Sequence, residues 1–376
     1  MTAGEIRCSN DLKLSKVLLA RQEIKRLNRS IKRQSEKGEQ SATRRHLLAT
    51  SVRLSPGMAA GVHQKADLCV ERLGIDSPLE LYAYASPQFN AACFKPEEGR
   101  VFIMFSSSLL EAFNDSELLF VMGHELGHHV YGHHQIPIGY VLRGRQPPPA
   151  DLALELFAWS RYAEISADRA GAFCAEDLES VARALFKLAS GITDERVVRF
   201  ELHEFLAQVD DMLAFDDKPG QGAPKQDWFS THPFSPLRVK ALKLFHESDL
   251  MGTTGMDKPT LEDQVHQIMS LMEPDYLQGK TDSSRAMRDL FLAAAVVIAN
   301  AYEGISKKER DTLKRYLGEA YSLDTLDLDR LEEDLPRRIV EVKDRVSQAQ
   351  RMQVLRDLCV VAATEQPISD AERDLL

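Results

Sequence analysis

The sequence predicts a mainly helical α+β protein. Its first globular part has a small sheet and a buried helix carrying His124-Glu125-Leu126-Gly127-His128, and a separate all-α part follows at the C-terminal end. Three observations predict this. Apolar residues recur at helical spacing through most of the chain, only two runs have strand character, and residues 285–376 read as helices alone. With 376 residues the chain is too long for one ordinary domain. Hydrophobic residues at 44% and charged residues at 28% exclude a largely disordered chain.

Residues 1–55 form a basic arm. Val17, Ala20, Ile24, Leu27 and Ile31 give one apolar stripe on a helix over 11–34, with Lys and Arg on the other faces. Such a stripe can pack on the body, pair with another helix or lie weakly on an anionic membrane surface; packing is favoured. Residues 34–45 read as a polar break.

A second part, residues 56–250, begins with a helix over 57–73. Strands follow over 81–85 and 100–105, with Lys95-Pro96-Glu97-Glu98-Gly99 as the turn between them. Asn114, with Glu117 three residues on, forms a capping box that opens the helix bearing the histidines. Gln146-Pro147-Pro148-Pro149 breaks the chain, and helices over 151–175 and 178–188 come next. Residues 218–222 are a loop. Residues 251–284 are linker and helix, with glycines at 252 and 255 to permit movement. In residues 285–376 an offset of 63 superposes Ile305, Ser306, Glu309 and Leu313 on Ile368, Ser369, Glu372 and Leu376, a weak repeat of helix, turn and Ser-x-x-Glu helix start.

Charge and cysteine usage narrow the class. Residues 1–55 carry 13 Lys/Arg against 5 Asp/Glu, a net of +8, and the remainder has a net of −18. The acidic total argues against nucleic acid as a partner. Five scattered cysteines without Cys-x-x-Cys suggest free thiols in a reducing compartment. The N-terminus has charges where a leader needs its apolar core, and the longest apolar run, residues 291–299, is about half a bilayer span. A cytoplasmic protein is expected.

His124 and His128, four apart on a helix, lie on one face and can share one zinc ion, and Glu125 can take the proton of the water that zinc activates. Catalytic zinc wants a third protein ligand. Glu164 competes with His134 for that role. His134 has the spacing of His-Glu-x-x-His-x-x-Gly-x-x-His, but Tyr131 stands where the glycine belongs, so Glu164 is favoured. Asp168, four residues beyond Glu164, shares its face and can accept the other ring N–H of a ligating histidine. His133 and His134 read as polar groups at a helix C-terminus.

Together with Ser230-Thr231-His232-Pro233 and Arg238, in the pattern HPFSPLR, and with Asn90-Ala91, these motifs resemble the HtpX and CAAX-endoprotease family of gluzincin metallopeptidases, in a variant without that family's transmembrane helices. The resemblance covers about residues 56–250 and implies a zincin-type fold. It implies one zinc per chain on His124, His128 and Glu164, Glu125 as general base and Asp168 behind the ligands. It places His232 and Arg238 near the oxyanion, where the bland readings are a turn and a surface arginine. The strand over 100–105 would be the edge that pairs with a peptide. Residues 285–376 resemble TerB-like helical domains, with Glu303-Gly304 and Gln366-Pro367 where those domains have Asp-Gly turns. A soluble zinc metalloendopeptidase is the expected function, restrained by its flanking segments, with a protein partner for the C-terminal domain. The alternative is a non-proteolytic zinc scaffold that acts through its TerB-like domain.

Overall fold

The computed structural model describes residues 1–36, 43–142, 150–216, 231–252, 254–272, 276–278, 282–301, 304–317, 326–346, 348–362 and 364. The breaks expected at 146–149 and 218–222, Ser230, Glu303 and the second copy of the C-terminal repeat lie outside them. Two compact units are present: Met1–Val209 with Thr231–Glu262, and Asp210–Ser230 with Asp263–Leu376.

The first unit begins with α1 (Ala3–Ile6), α2 (Ser9–Ala20) and α3 (Gln22–Glu36). The single helix expected over 11–34 is therefore two. Arg21 has extended backbone (φ −62°, ψ 139°), and its guanidinium is held by Glu155 at 2.8 and 3.0 Å. The break changes which face is buried. Asp11, Ser15, Leu18 and Ile24 are buried, while Val17, from the expected stripe, is 46% exposed. Leu18 and Ile24 pack with Leu152, Leu156, Trp159 and Ala163 of the long helix α9 (Ala150–Ala175).

After α4 (Thr43–Thr50), the strands β1 (Val52–Leu54), β2 (Leu79–Tyr84), β3 (Ala91–Glu97) and β4 (Arg100–Ser106) form a mixed sheet in the order β1-β2-β4-β3, with α5 (Ala60–Leu73) between β1 and β2. β2 and β4 are parallel, and the other pairs are antiparallel. The strand over 100–105, expected as the substrate-pairing edge, is thus internal, and the edge on its side is β3. Pro96 lies in β3, where an edge strand can spare the N–H and where the register slips between Phe94 and Glu97. The β3–β4 turn is tighter than expected, at Glu98-Gly99, both with positive φ (50° and 72°) as a two-residue hairpin turn requires.

α6 (Ser107–Ala112) leads to α7 (Asp115–Val130), which opens on the Asn114/Glu117 capping box. α8 (Ile138–Leu142), α9, α10 (Leu178–Ser190), α11 (Leu202–Asp216), α12 (Ser235–His246) and α13 (Lys258–Ser270) follow. α7 and α9 cross closely because both are thin where they meet. A Cβ added to Gly171 would stand 2.5 Å from Phe120 O, and one added to Gly127 would stand 2.9 Å from Ala170 Cβ. Around the start of the expected linker the chain folds back on itself. Asp249 N donates to Met256 O at 2.9 Å, and a Cβ added to Gly255 would stand 2.5 Å from Glu247 O.

The second unit is built around α14 (Asp282–Asn300), with α15 (Lys307–Leu317), α16 (Leu328–Arg345) and α17 (Gln348–Ala362). The apolar run at 291–299 is its core, packed against Leu313, Leu331, Val342 and Val361. The Ser306/Glu309 capping box forms as the pattern predicts. No helix among the described residues is long and apolar enough to cross a membrane.

Candidate metal centre

α7 presents His124 and His128 one turn apart, and α9 presents Glu164 one turn before Asp168. The glycine-thin crossing lets the two faces meet. His124 Nε2 and His128 Nε2 are 3.3 Å apart, and Glu164 lies 3.6 Å from the first and 3.4 Å from the second. Among the described residues this is the group of three His, Cys, Asp or Glu side chains whose ligand atoms all fall within 4.8 Å of one another. Atoms 2.0–2.1 Å from one tetrahedral zinc ion stand roughly 3.3–3.4 Å apart. Glu164 Oε2 is buried and has no hydrogen-bond partner, Arg238 Nη2 standing 3.6 Å away, a costly state that a bound metal ion would relieve. The donor set and its spacing fit one such ion.

The electrostatics are consistent with that. Burial opposes the charge on Glu164, yet the two histidines outweigh it and hold the carboxyl well below its usual range. Burial likewise works against the cation on His128, but Glu164 beside it raises the pKa. Asp168 is fully buried and accepts the His124 Nδ1–H at 2.9 Å, so the His124 lone pair is on Nε2, facing Glu164.

Arg238, on α12, is not at an open surface. It is buried and forks onto Asp168, from Nε at 2.8 Å and from Nη2 at 2.6 Å, with Nη2 also 3.6 Å from Glu164. Desolvation of Asp168 would raise its pKa, but the guanidinium prevails and lowers it. His232 lies on the open side. Its side chain is 64% exposed, its Nε2 is 3.6 Å from Glu164, and Thr231 Oγ1 is 2.9 Å from its Nδ1.

Glu125 points away from the histidine pair's supports and toward the sheet. Its Oε2 accepts the Cys93 backbone N–H at 2.7 Å. In β3, Cys93 pairs with Ile103 of β4, so this N–H is on the outer edge of the strand. The carboxylate thereby joins the helix that carries the paired histidines to the edge of the sheet.

His134 is not part of the group. Its Nε2 is buried without a hydrogen-bond partner, and burial pushes its pKa down to about 4. The helix does turn, but one residue later than the expected glycine position. Tyr131 remains near-helical (φ −83°, ψ −3°), and Gly132 takes the left-handed conformation (φ 68°). That turn swings His133 back, and its Nδ1 meets His128 Nδ1 at 2.8 Å. His133 is therefore a site residue that its sequence context does not reveal. The only local hint is Gly132 before it.

Comparison with known proteins agrees with this geometry. The profile of Peptidase family M48 matches residues 56–146 and 150–245. Plastoglobule-localized metallopeptidase 48, chloroplastic, from Arabidopsis thaliana is 33% identical over 153 residues, 38% of this chain and 44% of that protein. The chain thus spans less than half the length of this relative, and no solved structure matches it. The paired histidines and the glutamate of α9 fall on the segment that is similar to the peptidase M48 family, a family of metallopeptidases.

Proposed function

We propose that the protein is a zinc-dependent metalloendopeptidase of the gluzincin type, with one zinc on His124, His128 and Glu164. The observation that carries this reading is the convergence of those three donors beside a carboxylate, Glu125, that ligates nothing. When bound, zinc supplies Lewis acidity, polarising a scissile carbonyl and making a water acidic. Glu125 then takes the proton of the attacking water and passes it to the leaving amine. A peptide is placed by main-chain hydrogen bonds along the outer edge of β3. This edge replaces the strand over 100–105 in that role.

The geometry divides His232 and Arg238. Exposed beside Glu164, His232 can reach substrate and is assigned to the oxyanion. Arg238, with its fork committed to Asp168, is assigned to orienting Asp168 and through it His124. The substrate is a peptide or protein. Five free thiols support a reducing compartment, and we assign the cytoplasm. The TerB-like resemblance supports a partner-binding or restraining role for the helices of residues 285–376. The test is metal analysis of the purified chain together with digestion of casein. One zinc per chain and chelator-sensitive cleavage are expected; a chain that takes up no zinc after chelation overturns the reading.

A further inference from the structure

Asp11, 113 positions before His124, is fully buried in the first unit. Its carboxylate accepts from Arg7 Nε and Nη2 (2.7 and 3.1 Å), Ser15 Oγ (3.0 Å), Trp159 Nε1 (3.1 Å), Ser166 Oγ (2.8 Å) and His133 Nε2 (3.1 Å). So many donors around one carboxylate keep it ionised, and an ionised carboxylate only accepts. His133 therefore carries its proton on Nε2. Its other ring nitrogen, Nδ1, faces His128 Nδ1. One of these two atoms, 2.8 Å apart, must donate and the other accept; a histidine that holds zinc through Nε2 carries its proton on Nδ1, so His128 Nδ1–H donates and His133 Nδ1 accepts. His128 is left with its lone pair on Nε2, facing Glu164 and His124.

From this chain of hydrogen bonds we infer that Asp11 and His133 are positioning residues for the candidate metal centre. They fix the tautomer and ring orientation of His128, as Arg238 and Asp168 do for His124. The N-terminal segment is thereby part of the site and not an appendage to it. The segment is anchored for that task. Cys8 N donates to Ser166 Oγ, Tyr131 OH donates to Ala3 O, and Ile6 and Cys8 are fully buried. Without Asp11, His133 is free to take the other tautomer. Its Nδ1–H would then face His128 and force the His128 proton to Nε2, where it would bond Glu164 and compete with a metal.

The inference rests on the zinc reading above, and the experiment separates the two. Full-length chains are loaded with zinc, and its release to a chromogenic chelator is timed; the absorption spectrum of the cobalt-loaded form reports the ligand field. His133→Phe keeps a planar ring and removes both nitrogens. His133→Gln retains one donor and one acceptor. Asp11→Ala removes the carboxylate, and Asp11→Asn keeps its size. Release 10–100-fold faster is expected for His133→Phe and Asp11→Ala, the range found when such supporting partners of metal ligands are lost. His133→Gln should stay near the parent rate. The double variant Asp11→Ala/His133→Phe should be no faster than His133→Phe alone, because both act through one hydrogen bond. A parent rate in His133→Phe, equal rates in the Phe and Gln variants, or additive effects in the double variant would overturn the inference and leave the zinc reading standing. A parent chain that binds no zinc would sink both.

Discussion

The Glu125 carboxylate is bound to the backbone of the edge strand, accepting the Cys93 N–H at 2.7 Å. One contact thus ties α7 to the strand that would present a peptide. Burial, and then the nearby Glu125 charge, push the Cys93 thiol well above its usual range, so the sulfur beside this contact stays protonated and unreactive.

Glu125→Gln should retain zinc and stability. The amide oxygen can still accept from Cys93 N–H, but it cannot take a proton from water at neutral pH. Zinc content by elemental analysis should match the parent, and casein cleavage should fall to background. Turnover in the zinc-loaded variant would remove Glu125 from the role of base.

Glu164→Ala should abolish stoichiometric zinc, whereas His134→Ala should keep it. The first removes one of three converging donors, and the second removes a group outside the ligand set. Metal content after dialysis distinguishes them, and the reverse pattern would move the third ligand to His134.

His232→Ala and Arg238→Ala should fail differently. Loss of an exposed oxyanion donor should reduce kcat by about 10²–10³ with the melting temperature unchanged. Loss of Arg238 leaves the Asp168 carboxylate buried without its counter-charge, held by the His124 hydrogen bond alone, at a cost of about 3–5 kcal/mol. Arg238→Lys should rescue little, because one ammonium cannot reproduce the fork. Denaturant titrations and steady-state kinetics on both variants make the comparison.

Gly171→Ala should destabilise the first unit by about 1–3 kcal/mol, since the new methyl meets the Phe120 backbone carbonyl, which cannot rotate away. Gly139→Ala, in α8 with nothing within 4 Å of the added carbon, should be neutral or stabilising. If the α7–α9 crossing sets the metal site, Gly171→Ala should also release zinc faster.

Deleting residues 285–376 should raise the rate of casein cleavage if those helices restrain the enzyme. Deleting residues 1–55 should lower zinc retention, because it removes Asp11. Equal cleavage by the full chain and the chain ending at 284, at low and high salt, would leave no restraint to explain.

What the sequence determined by itself is local. The four-residue spacing of His124 and His128 sets one helical face, and Glu164 with Asp168 sets another. Asn114/Glu117 and Ser306/Glu309 mark helix starts through hydrogen bonds that span three residues. Each of these follows from chain geometry over a turn or so. Tertiary structure alone decided the rest. It set the central place of β4, the turn of Arg238 onto Asp168, the break at Arg21 and the chain from Asp11 through His133 to His128. A hydrophobic pattern does not tell what a helix is buried against, and on α2 it did not tell the buried face either, because the break at Arg21 re-aims the chain and leaves Val17 exposed. Asp11 and His133 are 122 positions apart, and each reads alone as an ordinary polar residue. Packing of α2 on α9 removes water from both, and once water is gone the His133 Nε2–H needs the Asp11 carboxylate as its acceptor.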